Sequence, residues 1–151
     1  MIAVRLVLAG LTIGTVAAHA ADPFYLGRWK VESADIAPWV NQKPDPSEKN
    51  SLLGKVVAID TKTIAGPQPF TCRKPAYKIS DATADLLFQG AFGEMHDRDK
   101  SVDPLKLAAS LGFSGESWKT LETGCEIDWH FVDTTTAKIG LNDFVYTLKK
   151  Q

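Results

Sequence analysis

The chain has 151 residues, of which 44% are hydrophobic and 23% are charged. This size and composition suit one compact domain, and they exclude a disordered acidic protein or a fully membrane-embedded one. The 17 lysines and arginines against 18 aspartates and glutamates give a net charge of -1, which excludes general nucleic-acid binding because phosphate recognition needs a concentrated positive field.

Residues 1–20 have the three parts of a secretory signal peptide. Arg5 supplies a positive charge, residues 6–16 form an apolar run, and Ala18-His19-Ala20 fits the small-residue cleavage pattern. The apolar run is shorter than the roughly 20 residues that span a bilayer, which favours cleavage over the alternative of an uncleaved membrane anchor. We therefore expect a single mature domain, residues 21–151, that is periplasmic or secreted and has no stable membrane insertion.

Cys72 and Cys125 are the only two cysteines, which excludes a four-cysteine zinc site. In an oxidising compartment we expect a disulfide between them. A disulfide that closes a loop of about 50 residues stabilises a fold by roughly 4 kcal/mol in the chain-entropy model. The alternative is a nucleophilic or metal-binding thiol, and a disulfide would exclude a free catalytic thiolate.

The first strand candidate covers residues 26–34. Trp29 and Val31 alternate with charged residues there, as in a strand with one buried and one solvent-exposed face. A polar stretch with two prolines follows at 41–50. Because proline interrupts hydrogen-bond ladders, we expect a long exposed loop that is anchored by Pro38-Trp39.

Short strands and turns alternate through the middle of the chain. One helix in this region has clear end signals, because Asp103 can cap it, Pro104 suits its first position and Gly112 can end it. At about ten residues this helix would be marginal in isolation, so we expect it to pack against other elements. The pattern around it predicts strands at 53–60, 62–65, 70–72, 76–79 and 85–89, a turn or extended segment at 66–69, and a loop at 93–100.

The C-terminal third returns to strand patterns. In the segment 125–131 one face is hydrophobic and the other carries Asp128 and His130, which we expect to be exposed to solvent. Further strands are predicted at 137–141 and 144–148. The whole pattern predicts a mainly β fold, a single antiparallel β-barrel or curved sheet of about eight strands, with one short helix before the last strands.

The segment Gly27-Arg28-Trp29 resembles the opening Gly-x-Trp motif of the lipocalins and related calycin barrels. In that family the tryptophan plugs the closed end of the barrel and the open end receives an apolar small molecule. This chain departs from the family in two respects. Lys149 or Lys150 stands where an arginine usually packs across the tryptophan. The helix precedes the last strands, whereas in the family it follows the barrel. The order of its elements, with the helix before the last strands, is similar to that of small bacterial lipocalin-like periplasmic domains. These domains include exported inhibitors of host hydrolases.

Aromatic side chains supply two sets of candidate binding residues. Trp39 and Trp118 lie in or beside loops, and together with Met95 they are candidates for contact with a protein partner. The alternatives are core packing for aromatic residues on strands and loop anchoring for those beside loops. The candidates for lining an apolar ligand cavity are Trp29, Trp129, Phe131, Phe144 and Tyr146.

His96, His130 and Asp128 are the residues that would carry metal or acid–base chemistry. Acidic neighbours surround both histidines, yet neither histidine has a recognised zinc-ligand spacing. Asp128 and His130 share a strand face and could act as a proton-transfer pair, and the alternative is a solvated surface pair. No nucleophile elbow, phosphate loop or dinucleotide fingerprint occurs, so we predict no cofactor, no bound metal and no catalytic activity.

Three functions fit these residues. The first is a non-catalytic periplasmic or secreted binding protein that holds a small apolar ligand in a lipocalin-like barrel. The second is a protein–protein module, such as an inhibitor or accessory factor of an exported hydrolase. The third is a metal-dependent enzyme that uses the two histidines and nearby acids.

Overall fold

The computed structural model describes residues 23–151, so the predicted signal peptide at 1–20 lies outside the described residues. The helices are α1 (Pro46–Leu52), α2 (Leu87–Arg98) and α3 (Pro104–Ser110), with a short 3-10 helix at Ala84–Leu86. None of the helices in this part of the chain is long and apolar enough to cross a membrane. The strands are β1 (Gly27–Ile36), β2 (Val56–Ile59), β3 (Ile64–Ala65), β4 (Lys78–Thr83), β5 (Ser117–Glu122), β6 (Trp129–Asp133), β7 (Thr136–Leu141) and β8 (Phe144–Lys150).

All eight strands belong to one antiparallel sheet with the order β3-β2-β1-β8-β7-β6-β5-β4. The sheet curls into a half-barrel, and this confirms the predicted fold class. The N-terminal strand pairs with the C-terminal strand, so that Lys30 lies opposite Lys149 and Ile36 opposite Phe144. β3 and β4 form the two edges of the sheet.

The inner face of the curl holds the larger hydrophobic core, here called the inner core. Its residues come from seven strands, including β3 and β5, which are far apart in the sheet order and can meet only inside the curl. The alternation of apolar and polar residues along β1, β6, β7 and β8 produces this face, as the sequence predicts. The strand residues of the inner core are Trp29, Val31, Val57, Ile59, Ile64, Leu121, Trp129, Phe131, Ala137, Ile139, Phe144, Tyr146 and Leu148.

The segment between β3 and β4 joins the two edges of the sheet. Cys72 exchanges two backbone hydrogen bonds with Ile64 of β3, each 2.8 Å long. The predicted disulfide is present and connects Cys72 to Cys125, in the β5–β6 connection. The hydroxyl of Tyr77, just before β4, donates a hydrogen bond to the carbonyl oxygen of Asp60 at 2.6 Å. The curl is therefore fastened along its open side by one covalent link and by hydrogen bonds.

The outer face of the sheet carries a second cluster, here called the outer core. Helices α2 and α3 pack there against side chains of β4, β5 and β8. The outer core is smaller than the inner core and draws most of its residues from helices and loops. Its buried residues are Ala37, Ala82, Ala84, Leu87, Phe88, Phe92, Ala108, Leu111, Phe113, Trp118 and Val145.

Two of the three helices correct the prediction of a single helix. α3 begins after Asp103, as predicted, and the Asp103 carboxylate accepts a hydrogen bond from the Leu105 backbone N–H at 3.0 Å. α1, however, lies where an exposed loop was predicted at 41–50. The same end signals are present there, because Asp45 caps the helix and Pro46 occupies its first position.

The strand predicted at 85–89 and the loop predicted at 93–100 are both wrong. The chain forms the 3-10 helix and α2 in this region. Phe88, Gln89 and Gly90 have positive φ angles of 54°, 54° and 84°, so a left-handed turn precedes the regular part of α2. Phe88 and Phe92, which are four residues apart, are both buried in the outer core. This spacing is typical of a helix and argues against the predicted strand.

The other differences concern strand boundaries. The strand predicted at 53–60 is shorter, and the one at 70–72 is reduced to the backbone pairing of Cys72 with Ile64. β5 was missed entirely. Its only large hydrophobic residues, Trp118 and Leu121, are three apart and so do not show the period of two that indicates a strand.

Candidate functional site

The five predicted ligand-lining residues lie together in the inner core. All five are at most 3% exposed. The ring centres of Trp29 and Trp129 are 5.9 Å apart, and those of Trp29 and Phe131 are 5.6 Å apart. Phe144 and Tyr146 are 6.1 Å apart. These aromatic rings contact one another in the interior, and their ligand-binding role stays a prediction.

One end of the inner core is covered by the segment before β1 and by Lys150. The Trp29 indole N–H donates a hydrogen bond to the Tyr25 carbonyl oxygen at 2.9 Å. The Lys150 ammonium lies 5.7 Å from the centre of a Trp29 ring and donates a hydrogen bond to the Phe24 carbonyl oxygen. A cation over an indole face is a favourable contact, especially when partly desolvated. Lys150 therefore packs across Trp29, and Lys149 instead bonds Thr136 on the outer face.

The opposite end of the inner core is covered by α1. Leu52 of this helix is buried in the inner core. The Glu48 carboxylate accepts a hydrogen bond from the Asn142 side chain at 2.9 Å and a longer one, 3.4 Å, from the Tyr146 hydroxyl. Burial, together with the nearby Glu48 charge, raises the pKa of Tyr146. Lys49 lies over the Phe144 ring at 5.8 Å.

Trp39 and Met95 line one surface cleft of about 350 Å³, here called the Trp39 groove. Trp39 is half-buried; its indole N–H donates a hydrogen bond to the Asn142 carbonyl oxygen at 3.0 Å. Its ring lies 5.5 Å from that of Phe88 and 6.3 Å from that of Phe92. The remaining lining residues of the Trp39 groove are Pro38, Asn41, Arg98, Asp99 and Val102.

A second cleft, of about 430 Å³, also contacts Trp39 and Asn41 and continues along residues 42–45 to Asp143. Trp39 and Asn41 thus stand between two clefts on the same surface. An indole in this position is fixed by the core on one side and reachable from solvent on the other.

Trp118 does not belong to this surface, although it lies beside a loop as predicted. It lies on β5, is 5% exposed and packs 5.1 Å from Phe113 in the outer core. Its indole N–H donates a hydrogen bond to the Ser114 carbonyl oxygen at 2.9 Å. Trp118 therefore packs in the outer core and anchors the loop before β5, and its contact with a partner stays a prediction.

His130 is buried, which corrects its predicted exposure to solvent. Its side chain is on the outer face of β6, and the residue is 2% exposed. Its Nε2 accepts a hydrogen bond from the Phe88 backbone N–H at 2.9 Å. Nδ1 must then carry the proton, and it donates to the Thr120 hydroxyl at 2.8 Å. Burial lowers the pKa of His130 to about 4, so the ring is neutral at pH 7.

This histidine supports the left-handed turn that starts α2. A turn with positive φ at two non-glycine residues is strained and persists only when its surroundings fix it. The hydrogen bond from the Phe88 N–H to His130 fixes it from the sheet, and the Phe88 ring stacks edge-on against the imidazole at 4.9 Å. Because Phe88 also contacts Trp39, His130 positions one wall of the Trp39 groove indirectly.

The other two candidates for metal or proton chemistry have separate surroundings. His96, on α2, bonds the Val102 carbonyl oxygen through Nδ1 at 2.7 Å. Burial, and then the nearby charge of Glu122, raises the pKa of Asp128. Within residues 23–151, no group of three or more histidine, cysteine, aspartate or glutamate side chains could hold a metal ion.

Several residues of the Trp39 groove were missed from the sequence. Asn41, Arg98 and Val102 border the groove and were not named individually, although they lie in two segments, 38–51 and 93–102, that are predicted as long loops able to carry binding. The helical spacing of Phe92 and Met95 was the available signal, and it was obscured because 93–100 was interpreted as a loop. Comparison of the chain with protein-family models, curated proteins and solved structures found no match.

Proposed function

We propose that this chain is an exported, non-catalytic binding protein that docks a protein partner through the Trp39 groove. The observation that carries the proposal is the meeting of Trp39 and Met95, which are distant in sequence, at one solvent-accessible cleft. Both were candidates for partner contact from the sequence alone.

The composition of the groove suits a protein interface. Tryptophan, methionine and arginine are enriched at the centres of such interfaces, and Trp39, Met95 and Arg98 line this one. Trp39 is already held by the Asn142 carbonyl and by two phenylalanine rings, so binding would cost little side-chain entropy. The exposed side chains of Asn41 and Asp99 supply polar groups at the rim.

A site-specific crosslinking experiment tests the proposal. A photo-reactive phenylalanine analogue at position 41 should capture a partner in periplasmic extract or in host fluid, and the same analogue at the exposed Asn50 should not. The captured protein is then identified by mass spectrometry and purified for calorimetry. We expect Trp39→Ala to weaken its binding by about 2 kcal/mol, roughly thirtyfold, as a central tryptophan of an interface would.

Controls separate binding from folding, because Trp39 also packs on the outer core. Arg98→Ala removes an exposed side chain of the groove, and Arg73→Ala removes an exposed arginine outside it. Arg98→Ala should weaken binding several-fold while Arg73→Ala leaves it unchanged, with both variants unfolding at the wild-type urea concentration. Equal crosslinking from positions 41 and 50, or equal affinity of the two arginine variants, would remove the groove from the function.

An exported hydrolase is the class of partner that we propose first, with the chain as its inhibitor or accessory factor. Two features of the sequence support this class: residues 1–20 resemble a signal peptide, and Gly27-Arg28-Trp29 resembles the opening motif of lipocalin-like domains. If the captured partner is a hydrolase, addition of the wild-type chain should change its turnover, and Trp39→Ala should reduce that effect in proportion to the loss of affinity.

A second candidate function is the binding of a small apolar ligand inside a lipocalin-like barrel. The contact of Lys150 with Trp29 favours it, because a cationic side chain packs across this tryptophan where the lipocalin-like pattern usually has an arginine. Lys150 and the segment before β1 cover one end of the inner core, and α1 covers the opposite end. For a ligand to enter at that opposite end, α1 would need to move. The packed aromatic rings of the interior favour the protein-binding function over this one.

A further inference from the structure

A second groove lies between α3 and the 3-10 helix, here called the α3 groove. It has a volume of about 330 Å³ and shares no lining residue with the Trp39 groove. Its apolar lining is formed by Ala84, Pro104 and Leu105. Its acidic lining is formed by Asp85, Asp103 and Glu116.

A large hydrophobic side chain, that of Leu105, is exposed in the lining of this groove. Leu105 is 48% exposed, and Leu86, on the 3-10 helix that forms one wall, is 56% exposed. They are two of the four large hydrophobic residues exposed in the described part of the chain. Leu105 is itself a lining residue, so the groove has apolar surface that a partner's apolar side chain would remove from water.

The charges around the groove are negative. Within residues 23–151, Asp85 and Glu116 have no lysine or arginine nitrogen within 4.0 Å. Asp85 accepts a hydrogen bond from the Thr83 hydroxyl at 2.6 Å. Asp103 caps α3, and its nearest cation is the exposed Lys106, 3.9 Å away. No basic residue lines the groove itself.

From this combination we propose that the α3 groove binds a protein segment in which an aliphatic or aromatic side chain is flanked by lysine or arginine. The apolar side chain would lie against Leu105, Ala84 and Pro104, and the flanking cations would approach Asp85 and Glu116. The same carboxylates repel phosphate groups, so an anionic membrane surface is disfavoured. The inference goes beyond the proposed function, since it concerns a different surface with its own ligand chemistry.

A labelled peptide serves as the probe. A fluorescein-labelled amphipathic peptide of leucine and lysine is titrated with the disulfide-bonded protein, and its anisotropy is followed at low and at physiological salt. The same peptide with glutamate in place of lysine is the charge control. We expect saturable binding of the lysine peptide that weakens as salt is added, because exposed ion pairs are screened, and no binding of the glutamate peptide.

Two pairs of variants locate the binding site. The double variant Asp85→Asn/Glu116→Gln should weaken binding about fivefold, as the loss of two exposed ion pairs would, while Glu126→Gln on the β5–β6 connection leaves it unchanged. Leu105→Ser should also weaken binding severalfold, and Ile79→Ser, at another exposed hydrophobic residue, should not. All five substituted sites are exposed, so the four variants should fold.

Three results would overturn the inference. The first is binding of both peptides alike, and the second is binding of the lysine peptide that no substitution in the groove weakens. The third is self-association of the protein that Leu105→Ser abolishes, since this would assign the groove to a second copy of the chain. Failure of crosslinking at position 41 bears only on the Trp39 groove and leaves these outcomes unaffected.

Discussion

The two faces of the sheet are built by different means. The inner core is made of strand residues that alternate with polar ones, and its large aromatic rings pack on one another between α1 and Lys150. The outer core depends on helices and on a strained left-handed turn that is fixed by one buried histidine. The inner face therefore explains stability, whereas the outer face carries the Trp39 groove and the groups that position it.

Substitution of equivalent residues on the two faces should give unequal losses of stability. Trp29→Ala removes a fully buried indole, its hydrogen bond and its contact with Lys150, so we expect about 5 kcal/mol of lost unfolding free energy. Trp39→Ala removes a half-buried indole from the outer face, and we expect about 2 kcal/mol. Urea unfolding measures both values. Equal losses would contradict the assignment of stability to the inner face.

Loss of the disulfide should also lower stability through the inner face of the sheet. Cys72→Ser/Cys125→Ser releases a loop of 53 residues, so we expect a loss of about 4 kcal/mol in the chain-entropy model. Because the link fastens the curl from β3 to the β5–β6 connection, the inner core should become more accessible to hydrogen exchange than α2 and α3 do. Unfolding by urea with exchange measured by mass spectrometry tests this. An effect confined to the helices would be inconsistent with the described fastening.

The outer face should instead be sensitive to pH. The pKa of His130 is about 4 in the fold and about 6.5 in an unfolded chain. The unfolded state therefore binds more protons between these values, and stability falls as the pH falls from 6.5 through 4. We expect a loss of about 2 kcal/mol between pH 7 and pH 5 from this group.

His130→Gln provides the control, because glutamine does not titrate. This variant should be less stable than wild type at pH 7, since the buried imidazole ring that packs against Phe88 is lost. Its stability should fall less between pH 7 and pH 5. Identical pH slopes for the two proteins would show that His130 is not the responsible group.

The smallest effect is expected at Gly140, where the two regions meet. A Cβ atom there would lie 3.0 Å from Phe88 Cδ1 and 3.0 Å from the Trp39 ring. Gly140→Ala should therefore displace these rings at a cost of about 1 kcal/mol and change the fluorescence of Trp39. Partner affinity at the Trp39 groove should fall as well. Unchanged affinity after a measured shift of the indole would weaken the proposed role of Trp39.

The inner face was predictable from the sequence and the outer face was not. Period-two alternation at Trp29, Trp129 and Tyr146 specifies which side chains meet inside the curl, and the cysteine pair is specified by the lack of any other partner. His130 follows the same alternation, yet α2 covers the face on which it lies. Alternation gives the face of a residue, but whether that face meets water depends on long-range packing.

The left-handed turn explains much of what could not be predicted about the outer face. Phe88 and Gln89 are not residues that favour positive φ, so no local preference indicates the turn. Its stability comes from His130, which is distant in sequence. The Trp39 groove depends on this turn and on α2, which is why Trp39 and Met95 were identified as candidates while their neighbours Asn41 and Arg98 were not.

The central claim is that this protein acts through its outer clefts while its interior is occupied by its own side chains. Titration with the apolar fluorescent probe N-phenyl-1-naphthylamine tests this most directly, with quenching of tryptophan fluorescence as a second readout. We predict no saturable uptake by the wild-type protein. Saturable uptake that Trp129→Ala or Phe131→Ala alters would contradict the claim and place the function in the inner core.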